Sequence, residues 1–190
     1  MGTDRTDEEL YESFIVREDE EAMRILFEKY CDPLTFFIGR IVNDPDDAED
    51  IMMDCFASVI AGSARFKARG GCSFKTWLYA VAKKSAYYFL RKRHVTESLD
   101  DDDNRIADEL AAPGNGLLKD EETQELYKAL YRALDSLSAD QRTVLYLKYF
   151  EDMDTEQISK VTGKSIRQIY KLTDKGKSRL RELLKNTDLL

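Results

Sequence analysis

One histidine, one tryptophan, three cysteines and three prolines are all that 190 residues contain of these types. Each scarcity removes a class of chemistry. His94 stands alone after a basic run, with no nucleophile motif beside it, so neither a histidine-based acid–base pair nor a histidine-rich metal site can be assembled. Cys31, Cys55 and Cys72 are odd in number and widely spaced, which fits neither a disulfide framework nor a zinc site. A reduced, cytoplasmic setting is expected. The nine glycines form no phosphate-cradling loop, so no nucleotide cofactor is expected, and no catalytic or metal-binding residue is assigned. No apolar run approaches the ~18 residues needed to cross a bilayer, and the acidic start MGTDRTDEEL does not read as a secretion signal. No membrane insertion of the chain's own is expected.

Acidic residues are plentiful overall, giving a net charge of −8, yet they are missing from one long stretch. Residues 65–94 hold nine Lys/Arg and no Asp or Glu, interleaved with Phe66, Phe74, Trp77, Tyr79, Tyr87, Tyr88 and Phe89. Cations hold a phosphate backbone, and aromatic rings stack on unpaired bases. An ordinary solvent-facing helix mixes charge signs, so this stretch points to nucleic acid. Residues 1–64 are the reverse, with 17 acids against 5 bases. The tail, 161–190, turns basic again with 8 bases against 3 acids. Local fields of this kind decide partners more than the whole-chain balance does.

No segment alternates with a period of two, and the apolar positions recur at helical spacing, so the fold is expected to be all-α. Ala22, Ile25, Leu26, Phe27 and Tyr30 open a helix over 21–42, with Pro33 expected to reset the chain. Asp46, Asp47, Glu49 and Asp50 suit the positive first turn of a helix carrying Ile51, Met52, Phe56, Val59 and Ile60 to Gly62. Ser73 is placed as the cap of a helix over about 74–93, with Phe74, Leu78, Val81, Ala82, Tyr88 and Phe89 as candidate core. A second helical set covers 123–137, 139–149, 155–161 and 166–184. Between the two sets, the Asp100–Asp103 run and the Pro113-Gly114-Asn115-Gly116 cluster mark a flexible acidic linker at about 96–120. The expected domains are therefore 1–95 and 121–190.

In the second set Thr155 is placed as the cap of a short helix carrying Ile158, Gly163 as the positive-φ turn, and Ser165 as the cap of the next helix. With Ile169 and Leu172 turned inward, Arg167, Gln168, Lys171, Asp174 and Lys175 lie on or near the outer face. This is a helix-turn-helix pattern, in which Arg and Lys suit guanine and Gln suits adenine.

The ordered segments PDDAEDIMMDCF (45–56), SFKTWLYAVAKKSAYYFLRKR (73–93) and LSADQRTVLYLKYFEDMDTEQISKVTGKSIRQIYKLTDKGKSRLREL (137–183) together resemble bacterial RNA polymerase sigma factors of the extracytoplasmic-function group. The resemblance implies a region 2 helical bundle that binds the polymerase clamp and opens the −10 element. It further implies a region 4 helix-turn-helix that reads the −35 element and sits against the polymerase flap. Core RNA polymerase, promoter DNA and an anti-sigma factor would be the partners, and the linker would thread the RNA-exit path. Carried over by position, Asp47, Glu49, Asp50, Asp54 and Phe56 fall on the clamp-binding helix. Phe66, Lys67, Arg69, Lys83, Lys84, Tyr87, Arg91, Lys92 and Arg93 fall in the −10 region, with the base pocket expected around 66–71. Ser165, Arg167, Gln168, Lys171, Lys175 and Lys177 fall on the −35 helix. Met53, Lys84, Tyr88, Thr162 and Gly176 stand where the family usually has Gln, Asn, Asp, Leu and Ala. On the residues alone two other classes stay open: a helix-turn-helix regulator with a sensing or dimerising N-terminal half, and an interaction protein whose acidic half binds a basic partner.

Overall fold

A computed structural model describes residues 5–68, 70–97, 133–134 and 136–185. Among these residues every regular element is a helix, and two compact units divide the chain. The first holds α1 (Asp7–Arg17), α2 (Glu20–Val42), α3 (Pro45–Ile60) and α4 (Phe74–Glu97). The second holds α5 (Ala139–Tyr149), α6 (Thr155–Thr162) and α7 (Ile166–Lys185). The linker expected at 96–120 lies outside the described residues from 98 onward, as does most of the helix expected over 123–137.

Helix α1 is an element that apolar periodicity did not announce. Its signal is local: Thr6 accepts from the Glu9 amide while the Glu9 carboxylate accepts from the Thr6 amide, and Asp7, Glu8 and Glu9 fill the first turn. Glu18 ends it at φ 55°, a left-handed position that glycine would take without strain.

Helix α2 packs against α1, α3 and α4 and continues through Pro33, so the expected reset does not occur. Proline inside a helix costs about 3 kcal/mol. Leu26, Leu34, Phe37 and Ile38 are each at most 1% exposed. At about 1.5–3 kcal/mol per buried side chain, those four residues on both sides of Pro33 outweigh that cost.

Asp44 caps α3 by accepting from the Asp47 amide at 3.0 Å, and Pro45 takes the first helical position, where its missing N–H loses nothing. Ser73 does receive the Thr76 amide at 3.2 Å, as its capping role requires, although α4 continues to Glu97. Phe74, Leu78, Tyr79 and Ala82 are fully buried. Tyr88, expected in the core, is 63% exposed instead.

In the second unit Val144, Leu147, Ile158 and Ile169 are buried in the core. The cap of α6 is Asp154, which accepts from the Gln157 amide at 2.8 Å; Thr155 is the first helical residue rather than the cap. Gly163 turns the chain at φ 72°, and the Ser159 hydroxyl donates to the Lys164 carbonyl across the turn. Gly176 is a packing position. A Cβ there would stand 2.8 Å from a Leu145 methyl, so glycine is what lets α7 close on α5.

Candidate nucleic-acid interface

Between α3 and α4 the chain makes a loop over 61–73 whose positive φ angles at Gly62, Gly70 and Gly71 need glycine. Lys67, Ala68, Gly70 and Gly71 are exposed; Arg69 lies outside the described residues. Phe66 was expected in a base pocket, but its ring is already engaged. It stands 5.8 Å from Tyr11, 5.7 Å from Phe74 and 5.7 Å from Trp77, centre to centre, in an aromatic cluster. Edge-on packing of this kind fixes a ring, so Phe66 supports the loop rather than presenting a free stacking face.

Along α4, Lys84, Tyr88, Arg91 and Lys92 recur at helical spacing on one exposed stripe. Lys83 lies 5.4 Å from the Tyr87 ring centre, a cation–π contact that keeps both side chains close to the same face. Arg93 contacts the Phe89 ring and also pairs with Asp47 of α3 at 3.1 Å. Sequence reasoning missed Tyr88, because its aromatic ring at that spacing read as core. Its position between Lys84 and Arg91 makes it the most exposed aromatic of the basic helix.

The outer face of α3 is acidic. Asp46, Glu49, Asp50 and Asp54 are exposed, with Met53 and Ile60 half-exposed among them. Asp47 is held above the usual carboxylate range by partial burial first and by the neighbouring Asp44 second, which the Arg93 guanidinium only partly offsets. Phe56 is not on this face. It is 2% exposed and packs edge-on against Phe27 at 4.9 Å, so its expected contact with a partner is corrected to a core role.

The second unit presents Arg167, Gln168, Lys171, Asp174 and Lys175 around one shallow groove on α7, with Tyr170 exposed on the same helix. The Gln168 side-chain oxygen accepts from the Ser165 amide at 2.8 Å and the Ser165 hydroxyl at 3.0 Å. Both side chains therefore close the helix start, and a bidentate reading of adenine by Gln168 would first have to release that oxygen. Lys177 sits off the groove, its ammonium 5.1 Å from the Tyr149 ring centre.

A bundle with one helix that carries no acid before Glu97 and a separate helix-turn-helix define a class of two-part DNA-binding protein. Known sequences then specify it. The family profile described as Sigma-70 region 2 matches residues 26–95, and that described as Sigma-70, region 4 matches 127–180. RNA polymerase sigma-H factor of Pseudomonas aeruginosa is 30% identical over 85% of this chain and 84% of its own length. The ECF RNA polymerase sigma factor SigX of Bacillus subtilis is 26% identical over 90% and 86%. Among solved structures, the sigma factor RpoE of Bartonella quintana, determined in complex with the anti-sigma factor NepR, aligns with a TM-score of 0.64 at 26% identity, covering 87% of this chain and 97% of that one. The chain belongs to the extracytoplasmic-function family of RNA polymerase sigma factors, which direct promoter recognition and are not enzymes. No helix among the described residues is long and apolar enough to cross a membrane.

Proposed function

We propose that the two units divide promoter recognition between them. The region 2 unit binds the polymerase clamp through Asp47, Glu49, Asp50 and Asp54 on α3 and engages the −10 element through the 66–71 loop and α4. An acidic helix suits a basic partner and repels DNA from that side. Lys67 and Arg69 receive a base extruded from the non-template strand, and Lys83, Lys84, Tyr87, Arg91, Lys92 and Arg93 hold the adjoining backbone, with Tyr88 offering a stacking face. Unstacking a base costs a few kcal/mol, which stacking and phosphate contacts recover without ATP. The region 4 unit reads the −35 element with Arg167 and Lys171, while Lys175 and Lys177 contact phosphate, Ser165 and Gln168 shape the helix start, and the unit sits against the polymerase flap. An anti-sigma factor as a further partner is supported by the relative crystallised with one.

The observation that carries this reading is the continuous exposed stripe of Lys84, Tyr88, Arg91 and Lys92 on a helix that contains no acid until Glu97. Lys67→Ala combined with Arg69→Ala should impair strand opening more than duplex binding, because contacts made only to an extruded base stabilise only the open complex. Permanganate reactivity of unpaired thymines on duplex and premelted templates measures the difference. Equal opening of duplex DNA by mutant and wild-type holoenzyme would place the melting determinants elsewhere.

A further inference from the structure

Helix α1 precedes the segment matched by the region 2 profile, yet it is bonded to both feet of the 67–73 loop. At one foot the Tyr11 hydroxyl accepts from the Phe66 amide at 3.2 Å. At the other, the Glu8 carboxylate accepts from the Phe74 amide at 2.7 Å, taking a donor that the start of α4 leaves open. Tyr11 is only 6% exposed and its ring contacts Phe66, Phe74 and Trp77 at 5.8, 5.3 and 6.0 Å. The helix that carries these two side chains is itself fixed. Asp7 accepts from the Lys29 ammonium at 2.6 Å and from the Tyr30 hydroxyl on α2, and Ser13 donates to Asp19 at 2.8 Å at the start of α2.

Gly70 and Gly71 both sit in the left-handed region, and a glycine-rich exposed segment gains conformational freedom once its ends are released. A receptor for an extruded base works best when its shape is set beforehand, because ordering the loop during opening would subtract from the binding that drives it.

We propose that α1 is a brace that presets the 67–73 loop for strand opening, with Tyr11 and Glu8 as its positioning residues; this rests on the loop's base-capturing role argued above. Neither side chain touches DNA in this account. Tyr11 acts through the backbone of Phe66, and Glu8 through the first amide of α4.

The test uses the full chain and its holoenzyme with Tyr11→Phe, which keeps the ring and removes only the hydroxyl, and with Glu8→Ala; Lys67→Ala serves as the loop reference. Hydrogen exchange at the 66–73 amides should quicken in the two brace variants. Open-complex formation on duplex promoter should fall roughly three- to tenfold, the range a single lost hydrogen bond supplies. Core-polymerase binding and closed-duplex binding should stay at wild-type levels, and activity should return on a premelted −10 bubble. A general folding defect would instead lower all of these together and would not be rescued by the bubble, which overturns the proposal. Unchanged exchange at 66–73 in Tyr11→Phe overturns it too, as does quickened exchange with normal opening while Lys67→Ala opens poorly. If Lys67→Ala also opens duplex normally, the loop's base-capturing role fails, and the brace loses its function with it.

Discussion

Arg167 and Lys177 are both cations of α7, but their surroundings differ. Arg167 lines the groove with Gln168 and Lys171, whereas Lys177 is drawn over Tyr149. Arg167→Ala should cost about 1–3 kcal/mol and relax one −35 position, as loss of a base-reading side chain does. Lys177→Ala should weaken all promoters alike and flatten the salt dependence of binding. Selection of promoter variants with each mutant holoenzyme separates the two, and uniform weakening by both would make Arg167 a phosphate contact. Asp19 carries a different prediction. The Ser13 hydroxyl, then the Ala22 amide and the Arg5 guanidinium, hold its carboxyl below the usual range. A lowered folded value means its stabilisation is complete above the unfolded carboxylate pKa of ~3.9 and disappears as pH falls through the lower folded value. Asp19→Asn should therefore lose part of the acid limb of a stability-against-pH curve, and parallel curves for mutant and wild type would contradict the assignment. Residue roles were the least legible in the sequence. Tyr88 and Phe56 are both aromatic at helical spacing, and only packing distinguishes the exposed one from the core one.

Helices were legible wherever apolar periodicity and caps agreed. α3 and α5 through α7 lie close to where apolar periodicity puts them, and Asp44, Ser138 and Asp154 cap the starts of α3, α5 and α6, the last one residue before the cap expected at Thr155. α1 escaped because its short pattern is dominated by acids, although its Thr6–Glu9 capping box was readable. Pro33 misled for the opposite reason: a local breaker was overruled by burial on both of its sides. The cap of α6 offers a direct check. Asp154→Ala should cost about 1 kcal/mol of region 4 stability, the usual worth of an N-cap, while Thr155→Ala should cost less. Thermal or denaturant unfolding of the two variants decides between them, and a larger loss from Thr155→Ala would restore the cap to that residue.

The charge map was the most legible feature of the whole molecule, since opposite partners require opposite faces whatever the details of packing. The acidic outer face of α3 and the cationic stripe of α4 are built from separate stretches of sequence, 45–60 and 65–94, so each keeps its sign in the folded unit. Asp50→Lys with Asp54→Lys should leave the fold intact, because both side chains are exposed on a helix held by Ile51, Met52, Cys55, Phe56 and Val59. It should sharply reduce affinity for core polymerase, as like-charge contacts across an interface cost several kcal/mol. Undiminished co-purification would remove α3 from the interface.

Division of a promoter between two units is tested most directly by mapping transcription starts on genomic DNA fragments with core polymerase, in the presence and absence of this chain. Starts should appear only with the chain present, each preceded by two sequence elements at fixed spacing, and Arg167→Ala should degrade the upstream element alone. Chain-dependent starts that share a single element, or an Arg167→Ala variant that degrades the downstream element, would contradict the account.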